Sequence, residues 1–469
     1  MTQFVTYLLV GLYAATTVGI ILVVIADNRN PLKTMPWILI LIFAPIAGIV
    51  LYFFFGQNLS KQKIITYRTR RRLTTYPQEA YAEGAIPDNY LPLARLLERT
   101  VNAAPFRGNR ITPYTDGASK LEALLRAIEG AQHHIHLQYY ILADDATGRR
   151  LRDALVLKAR AGVEVRILYD DVGCGGVKRA FFDSMRAEGI EAHAFLHVRF
   201  PLLTSRVNYR NHNKIAVIDG RVGFFGGMNI ADRYVHGTPW GTWRDTHFRL
   251  EGSAVHGLQA SFLSDWSATT RRRLDSDAYY PEAPRFGDNR MQILRSGPFG
   301  QWRVLLQAVS FVFANAKRRI WIETPYYLPN EELQTALQTA ALGGIDVRIM
   351  LPERSDSRIV GLASHSFLDA VLRAGVRVSF YRPGFLHSKM LLVDDDLVMA
   401  GSANMDFRSF EHNFEIDAFI YDRAFNARMA EIYLRDAAQC RTIDPAEWFR
   451  RPRMRRFAES GMRIFSPLL

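Results

Sequence analysis

The chain has 469 residues, of which 48% are hydrophobic, and its formal net charge is +13. This length suffices for two or three domains with full cores, and the positive charge favours an anionic partner such as nucleic acid, an anionic membrane surface or a phosphorylated substrate. The two cysteines, Cys174 and Cys440, exclude a disulfide framework, and the metal-ligand spacings CxxC and CxxH are absent.

Two long uncharged stretches open the chain. Residues 5–25 (VTYLLVGLYAATTVGIILVVI) predict a helix of roughly 30 Å, the thickness of a bilayer core. Residues 36–56 (PWILILIFAPIAGIVLYFFFG) predict a second span, which Pro45 kinks. A cleaved signal peptide fits the first stretch poorly, because its start, MTQF, lacks positive charge and its apolar run is too long. The two stretches therefore predict a transmembrane helical hairpin.

Positive charge is concentrated after the second span. The turn between the spans has only Arg29 and Lys33. The run that follows contains Lys61, Lys63, Arg68, Arg70, Arg71 and Arg72. By the positive-inside rule, the large C-terminal part lies in the cytoplasm together with the N-terminus, which predicts a multi-pass membrane protein with a cytoplasmic body. The same run suits anionic headgroups, although an ordinary stop-transfer flank explains it equally well.

The rest of the chain contains a duplication. NHNKIAVIDG (211–220) and LHSKMLLVDD (386–395) share the pattern His-x-Lys-x4-Asp, and the two histidines are 175 residues apart, at positions 212 and 387. The same offset relates Lys214 to Lys389, Asp219 to Asp394, Gly226 to Gly401, and Asn229 to Asn404. A constant register over five pairs indicates two copies of one unit.

Each copy predicts the same order of elements. A strand ending in Tyr-Tyr is followed by an amphipathic helix, a strand, a second helix, a short strand and the motif strand. This alternation predicts an α/β fold with two tandem domains in a pseudo-twofold pair, each a mixed β-sheet flanked by helices. The predicted divisions are the hairpin (1–58), a basic juxtamembrane linker (59–104), a first domain (105–285) and a second domain with a basic C-terminal tail (286–469). The Tyr-Tyr pairs are expected in the aromatic core, with lining of the pocket as the alternative.

The doubled motif suits phosphoryl chemistry. On a strand, His and Lys at positions i and i+2 point to the same face. Two facing copies bring two imidazoles and two ammonium groups into one pocket, where Lys and Asn stabilise charge on phosphoryl oxygens. One neutral His attacks phosphorus and the other, protonated, donates to the leaving oxygen. A metal site is disfavoured because each His is accompanied by a repelling cation, and we predict no metal and no cofactor.

The two segments HNKIAVIDGRVGFFGGMN and HSKMLLVDDDLVMAGSANMDFRSFEHNFE resemble the phospholipase D superfamily, whose HxKxxxxD signature with a downstream Gly-x-x-Asn occurs twice. The resemblance covers about residues 105–440, and with two N-terminal spans the chain is most similar to the bacterial cardiolipin synthases. It implies two phospholipase D-like domains, a phosphohistidine intermediate and metal independence. It also implies phosphatidyl transfer between two phosphatidylglycerol molecules, giving cardiolipin and glycerol.

The resemblance also implies roles for individual residues. His212 and His387 become the catalytic pair, and analogy with the family favours His212 as nucleophile. The implied phosphate ligands, which also belong to the catalytic set, are Lys214, Lys389, Asn229 and Asn404. Asp245 and Glu415 become the acids that orient the histidines, lying 16 residues after Asn229 and 11 after Asn404. Asp219 and Asp394 become structural. The first copy departs by having Gly227 where the second has Ser402.

The expected partners are phosphatidylglycerol and other anionic phospholipids in a membrane-embedded enzyme, with no nucleic acid; the oligomeric state is left open. Alternatives are a phospholipase D that hydrolyses phospholipid to phosphatidic acid, a nuclease, and a non-catalytic membrane scaffold that binds anionic lipid. A nuclease gives no reason for two spans, and a scaffold gives none for keeping both His and both Lys. Residues 198–210 and the basic cluster at 450–456 suit membrane contact, but a packed loop and a solvated tail suit them as well.

Overall fold

The computed structural model describes residues 2–26, 31–52, 86–195, 197 and 208–469. The predicted basic run at 61–72 and the apolar residues of the 198–210 segment, Phe200, Leu202 and Leu203, lie outside the described residues. The described part forms two units, a set of N-terminal helices and a large α/β body.

The N-terminal unit contains three helices, α1 (Thr2–Ala26), α2 (Pro31–Phe43) and α3 (Pro45–Leu51). Within the described residues, only Gln3–Ala26 is long and apolar enough to cross a membrane. The second predicted span is broken at Ala44, whose φ is −141°. Proline cannot donate a backbone hydrogen bond and clashes with the preceding turn, so the helix stops and restarts at Pro45. The proline therefore separates two helices rather than bending one.

The body contains one 15-stranded mixed sheet and two small two-stranded sheets. The strands of the first repeat are β1 (Pro105–Tyr114), β2 (His134–Tyr139), β3 (Glu164–Asp170), β4 (Glu191–Phe195), β5 (Lys214–Ile218), β6 (Val222–Gly226), β7 (Thr242–Arg244) and β8 (His247–Glu251). Those of the second are β9 (Asn289–Ser296), β10 (Arg319–Glu323), β11 (Tyr327–Leu328), β12 (Asp346–Pro352), β13 (Arg377–Tyr381), β14 (Gly384–Leu386), β15 (Met390–Val393), β16 (Leu397–Gly401), β17 (Met405–Asp406), β18 (Glu415–Tyr421) and β19 (Cys440–Thr442).

The two repeats have the same strand order and meet at the middle of the large sheet. From one edge inward the first repeat runs β4-β3-β2-β5-β6-β8-β1, and the second runs β13-β12-β10-β15-β16-β18-β9, with β19 added at its edge. Strands β1 and β9 pair antiparallel, with Phe106 opposite Met291, and join the halves. The predicted α/β fold with two related repeats is confirmed.

Helices cover both faces of the sheet. They are α4 (Leu91–Val101), α5 (Gly117–Glu129), α6 (Ala146–Arg160), α7 (Arg179–Ala187), α8 (Asp232–His236), α9 (Val255–Thr270), α10 (Val304–Asn315), α11 (Glu331–Leu342), α12 (Arg358–Arg373), α13 (Phe407–Glu411), α14 (Arg423–Ala437), α15 (Pro445–Phe449) and α16 (Arg453–Arg463). Each repeat has its own apolar core, and a third core between the repeats contains residues of α9 and α14. Helix α4 falls in the stretch expected to be a linker and buries Leu93 and Leu97 in the core of the second repeat.

Candidate active site

A small parallel sheet between the repeats brings Asp245 beside His387. Strand β7 of the first repeat pairs with β14 of the second, with Arg244 opposite Leu386. Asp245 directly follows Arg244, and His387 directly follows Leu386. The amide of His387 donates to the Arg244 carbonyl at 2.7 Å. The backbones can approach this closely because residue 384 is glycine: a Cβ there would lie 2.1 Å from the carbonyl oxygen of Thr242.

The same arrangement occurs on the other side of the pseudo-twofold. Asn211 forms a parallel bridge with Phe414, so His212 and Glu415 follow on adjacent segments. The His212 amide donates to the Phe414 carbonyl at 3.0 Å, and the Phe414 amide donates to the Arg210 carbonyl at 2.9 Å. Each histidine is therefore placed beside an acid from the other repeat.

The side chains complete this crossed pairing. His212 Nδ1 lies 2.9 Å from Glu415 Oε2 and 3.1 Å from Oε1, and His387 Nδ1 lies 2.6 Å from Asp245 Oδ2. Both carboxylates are fully buried, and the histidines are 9% and 6% exposed. A carboxylate on Nδ1 fixes the ring orientation and the tautomer, so Nε2 is the nitrogen left for substrate in each ring.

Burial sets the protonation of the pair. It lowers the pKa of His212, against the opposing charge of Glu415, and together with Lys389 it lowers the pKa of His387 to about 3. The pKa of Asp245 stays below its usual value, because Lys389 and His387 outweigh the effect of burial. In the structure without substrate, neutral imidazoles thus face ionised carboxylates, which leaves a lone pair on Nε2 for attack.

Both motif lysines are buried next to their own histidines. Lys214 Nζ donates to the His212 carbonyl at 2.6 Å, and Lys389 Nζ lies 2.9 Å from His387 Nδ1. Burial lowers the pKa of Lys214 to about 7 and that of Lys389 to about 8, although Glu415 and Asp245 oppose the shift. Two ammonium groups close to the imidazoles favour an anionic phosphoryl group between the repeats.

These lysines predict an alkaline limb in the pH profile. A lysine is cationic below its pKa, so the free enzyme loses phosphate-binding charge as the pH rises through about 7 to 8. We expect kcat/KM to fall over that range, since kcat/KM reports titration of the free enzyme. A phosphodiester substrate stays anionic throughout, so steady-state kinetics across neutral and alkaline pH test the enzyme alone. A profile that is flat through this range would contradict the assignment.

The two predicted asparagines are both engaged with the protein. Asn229 Nδ2 donates to the Tyr234 hydroxyl at 2.6 Å, and its Oδ1 accepts from the Ile141 amide. Asn404 Nδ2 donates to Asp406 at 2.9 Å. Each amide nitrogen has a second hydrogen, which can be donated to a phosphate while the described bond is kept.

Ser402 and Gly227 occupy equivalent places beside the two acids. Ser402 Oγ donates to Glu415 Oε2 at 2.5 Å. At Gly227 a Cβ would lie 2.0 Å from Asp245 Oδ1, so no side chain fits there. The missing hydroxyl of the first repeat thus has a steric cause, because Asp245 occupies the space that a serine would need.

Substitutions at Ser402 and Gly227 are expected to lower kcat to different extents. Ser402→Ala removes one charge-assisted hydrogen bond from Glu415, and we expect kcat to fall roughly ten-fold. Gly227→Ala should cost more, because it displaces Asp245. Thermal melts on both proteins separate this effect from unfolding, and a Ser402→Ala enzyme with unchanged kcat would rule out support of Glu415 by the hydroxyl.

The aspartates that end the two motifs hold backbone. Asp219 accepts from the amides of Gln132, His133 and His134 at 2.8 to 2.9 Å. Asp394 accepts from three consecutive amides before and at the start of β10. Both aspartates have positive φ, 53° and 49°. They tie the end of each motif strand to the start of its neighbouring strand.

One tyrosine of each Tyr-Tyr pair lies at the site, which the core expectation missed. The Tyr140 ring is 5.2 Å from that of His212, and the Tyr326 ring is 6.5 Å from that of His387. Their neighbours Tyr139 and Tyr327 are in the core, as expected. The alternation of a strand was the available signal, since consecutive residues face opposite sides.

A second layer behind the acids differs between the repeats. Lys120 on α5 is 1% exposed, and its Nζ donates to the Tyr139 hydroxyl at 3.1 Å. Two residues after each acid come His247 and Asp417, both buried. Burial lowers the pKa of His247 and raises that of Asp417, favouring the neutral form of each. No sequence pattern pointed to this layer, because its residues come from separate helices and strands.

Comparison with known proteins identifies the family of the chain. A family profile described as "Cardiolipin synthase, PLD-like domain" matches twice, at residues 124–247 and 312–437. A second, described as "Phospholipase_D-nuclease N-terminal", matches residues 14–57. The crystal structure of phosphatidylserine synthase from Haemophilus influenzae is similar in fold, with a TM-score of 0.63 and 16% identity over 81% of this chain and 100% of that one.

Curated relatives match over nearly the whole length. Cardiolipin synthase from Geobacillus kaustophilus is 39% identical over 467 residues, covering 98% of this chain and 93% of the relative. The major cardiolipin synthase ClsA of Bacillus subtilis is 36% identical over 464 residues, covering 96% of each. Taken with the two crossed His–carboxylate pairs, these matches show that the chain belongs to the cardiolipin synthase family of phospholipase D-like proteins.

Proposed function

We propose that this protein is a cardiolipin synthase, a phosphatidyltransferase that joins two phosphatidylglycerol molecules and releases glycerol. The observation that carries the proposal is the pair of buried imidazoles, each with Nδ1 on a carboxylate of the other repeat and with a lysine beside it. Two such imidazoles suit a displacement at phosphorus that proceeds in two steps.

In the first step His212 Nε2 attacks the donor phosphorus. Its Nδ1 faces Glu415 alone, so the proton sits on Nδ1 and the lone pair on Nε2. The N–P bond forms while the bond from phosphorus to the glycerol oxygen breaks, and His387 gives its proton to that oxygen. The anionic phosphodiester bound between the lysines favours protonation of His387 for this purpose.

In the second step the acceptor lipid takes the phosphatidyl group. His387, now neutral, removes the proton from a hydroxyl of the second phosphatidylglycerol. The new O–P bond forms and the N–P bond to His212 breaks, which restores both imidazoles. Lys214, Lys389, Asn229 and Asn404 hold the phosphoryl oxygens in this scheme, and the lysines supply the charge that stabilises the pentacoordinate transition state.

The test uses the purified full-length protein and phosphatidylglycerol vesicles without added metal. We expect cardiolipin and glycerol in equal amounts. Phosphatidic acid as the sole product would show that the protein is a hydrolase and not a synthase. No product at all would favour a lipid-binding scaffold.

We also propose that a hairpin of two membrane passes anchors the protein. The body then lies in the cytoplasm and contacts the anionic phospholipids of the membrane surface. Helix α1 has the length and composition of a span. The boundaries 105–285 and 286–469 remain our proposed division of the body; they place β1 and β9 at the start of each repeat. Protease accessibility in sealed inverted vesicles tests the orientation.

The C-terminal helix α16 supports lipid contact. Met454 and Phe457 on the helix are 77% and 74% exposed, beside Arg453 and Arg456, and Ile464 directly after the helix is 77% exposed. Exposed apolar side chains flanked by arginines are typical of a helix lying in an anionic membrane surface. The basic cluster at 450–456, noted in the sequence, overlaps the start of this helix.

We expect Phe457→Asp combined with Ile464→Asp to lower cardiolipin formation on phosphatidylglycerol vesicles roughly ten-fold, because two apolar anchors are lost. Activity on soluble short-chain phosphatidylglycerol is the control and should stay within two-fold. Equal activity of the variant and the parent on vesicles would contradict the proposed contact of this helix with lipid.

A further inference from the structure

A cleft of about 660 Å³ is lined by residues of the second repeat and by Trp240 of the first, and its lining does not include the two histidines of the site. We call it the acceptor cleft, and its walls include Trp240, Arg354, Asp356, Arg358, His365 and Arg455. Its floor is formed where β10 and β12 end, by Pro325 and by Leu351 and Pro352. The ends of these strands also lead to the site, since Tyr326 follows Pro325.

Tyr326 connects the cleft to the catalytic centre. Its ring is 6.5 Å from that of His387, and its hydroxyl donates to the Asp356 carboxylate at 2.9 Å. Asp356 is also near enough to Lys389 to act on its pKa. Tyr326 therefore links Asp356, which lines the cleft, to the surroundings of His387.

The cleft carries positive charge that its own acids do not neutralise. Glu353 is paired with Arg441 at 2.9 Å, and Arg455 is paired with Glu459 at 3.2 Å. The neutral Tyr326 hydroxyl does not neutralise Asp356, so Arg354 and Arg358 exceed the remaining acid of the cleft by one charge. Among the described residues, Arg354 and Arg358 form no salt bridge. The Arg354 guanidinium lies 4.5 Å from the centre of the Trp240 ring, which orients it without consuming its charge.

The proposed reaction needs such a second anion site. The acceptor hydroxyl belongs to a lipid that has its own phosphodiester, separated from the attacking oxygen by the three carbons of glycerol. The lysines are matched to the donor phosphate, so a second phosphate nearby requires other cations. Guanidinium groups bind phosphate oxygens through paired hydrogen bonds.

We propose that the acceptor cleft binds the phosphodiester of the acceptor lipid, with Arg354 and Arg358 as its ligands, and this inference rests on the proposed synthase function. The site selects an acceptor that carries phosphate over water or free glycerol. It thereby favours transfer to lipid over hydrolysis.

The experiment compares two acceptors in the same enzyme. Cardiolipin formation from phosphatidylglycerol uses an acceptor with a phosphate. Exchange of radiolabelled glycerol into phosphatidylglycerol uses the same donor and the same histidines, but its acceptor has none. We test full-length Arg354→Gln/Arg358→Gln against the parent, with Arg423→Gln/Arg428→Gln on exposed positions of α14 as the matched control.

We expect the cleft variant to lose roughly ten- to hundred-fold in cardiolipin formation, with a raised apparent KM for phosphatidylglycerol, while glycerol exchange changes less than two-fold. The control variant should match the parent in both assays. Equal loss of both activities, or loss of neither, would overturn the acceptor site. A parent protein that makes no cardiolipin and exchanges no glycerol would instead overturn the synthase function, and the acceptor site with it.

Discussion

Replacing either catalytic histidine with alanine is expected to abolish cardiolipin formation, with a loss on the order of 10⁴-fold or more in kcat. His212 and His387 act in both steps of the proposed displacement, so neither repeat can work alone. The measurement is turnover of phosphatidylglycerol by each purified variant, with circular dichroism to confirm folding. A single variant that keeps appreciable turnover would falsify the paired mechanism.

An activated donor separates the two histidines. In a phosphatidyl nitrophenyl ester the leaving group is nitrophenolate, which departs without being protonated. Attack on this donor therefore does not need the general acid. We expect His387→Ala to release one equivalent of nitrophenolate and then stop as phosphohistidine, since no base activates the acceptor. His212→Ala should give no burst. The reverse pattern would assign the nucleophile to His387.

The crossed carboxylates give the second large effect. We expect Glu415→Gln and Asp245→Asn each to lower kcat by roughly 10² to 10⁴, because the neutral amide no longer holds the required tautomer. Glu251→Gln is the control: Glu251 is a buried carboxylate of β8, paired with Arg110 and Arg249, and its substitution should leave kcat within two-fold.

The activated donor also tests which acid serves which ring. Glu415 contacts His212, so Glu415→Gln should slow the burst. Asp245 contacts His387, so Asp245→Asn should leave the burst rate intact and block the following turnover. Pairing within each repeat predicts the opposite outcome, since Asp245 shares its repeat with His212.

Much of this site follows from local sequence. The repeated His-x-Lys-x4-Asp identifies both histidines and lysines, and the spacing of two along a strand places them on one face. In the structure Lys214 begins β5, whereas His212 lies just before it, and His387 and Lys389 lie in the short segment between β14 and β15. The constant register between the copies predicts two related α/β units. The two expected sheets are halves of one continuous sheet in the structure, because β1 and β9 pair with each other.

Other features were not local enough to predict. The broken second span depends on how the chain accommodates Pro45, and a proline in an apolar run is compatible with either a kink or a break. Tyr140 and Tyr326 reach the site because each follows or precedes a core tyrosine at a strand end. Lys120 lies on a separate helix, and His247 and Asp417, although each follows an acid by two residues, differ in residue type, so no repeated motif marks this layer.

From the residue pattern alone we predict two imidazoles, two ammonium groups and two acids downstream of them, in a duplicated α/β unit behind an apolar helix. The folded chain shows which acid contacts which histidine. The partners are 203 residues apart for His212 and Glu415 and 142 apart for His387 and Asp245. These pairs form because backbone hydrogen bonds between β7 and β14, and between Asn211 and Phe414, join segments of different repeats. Such long-range pairing leaves no mark in the spacing of 16 or 11 residues within one repeat.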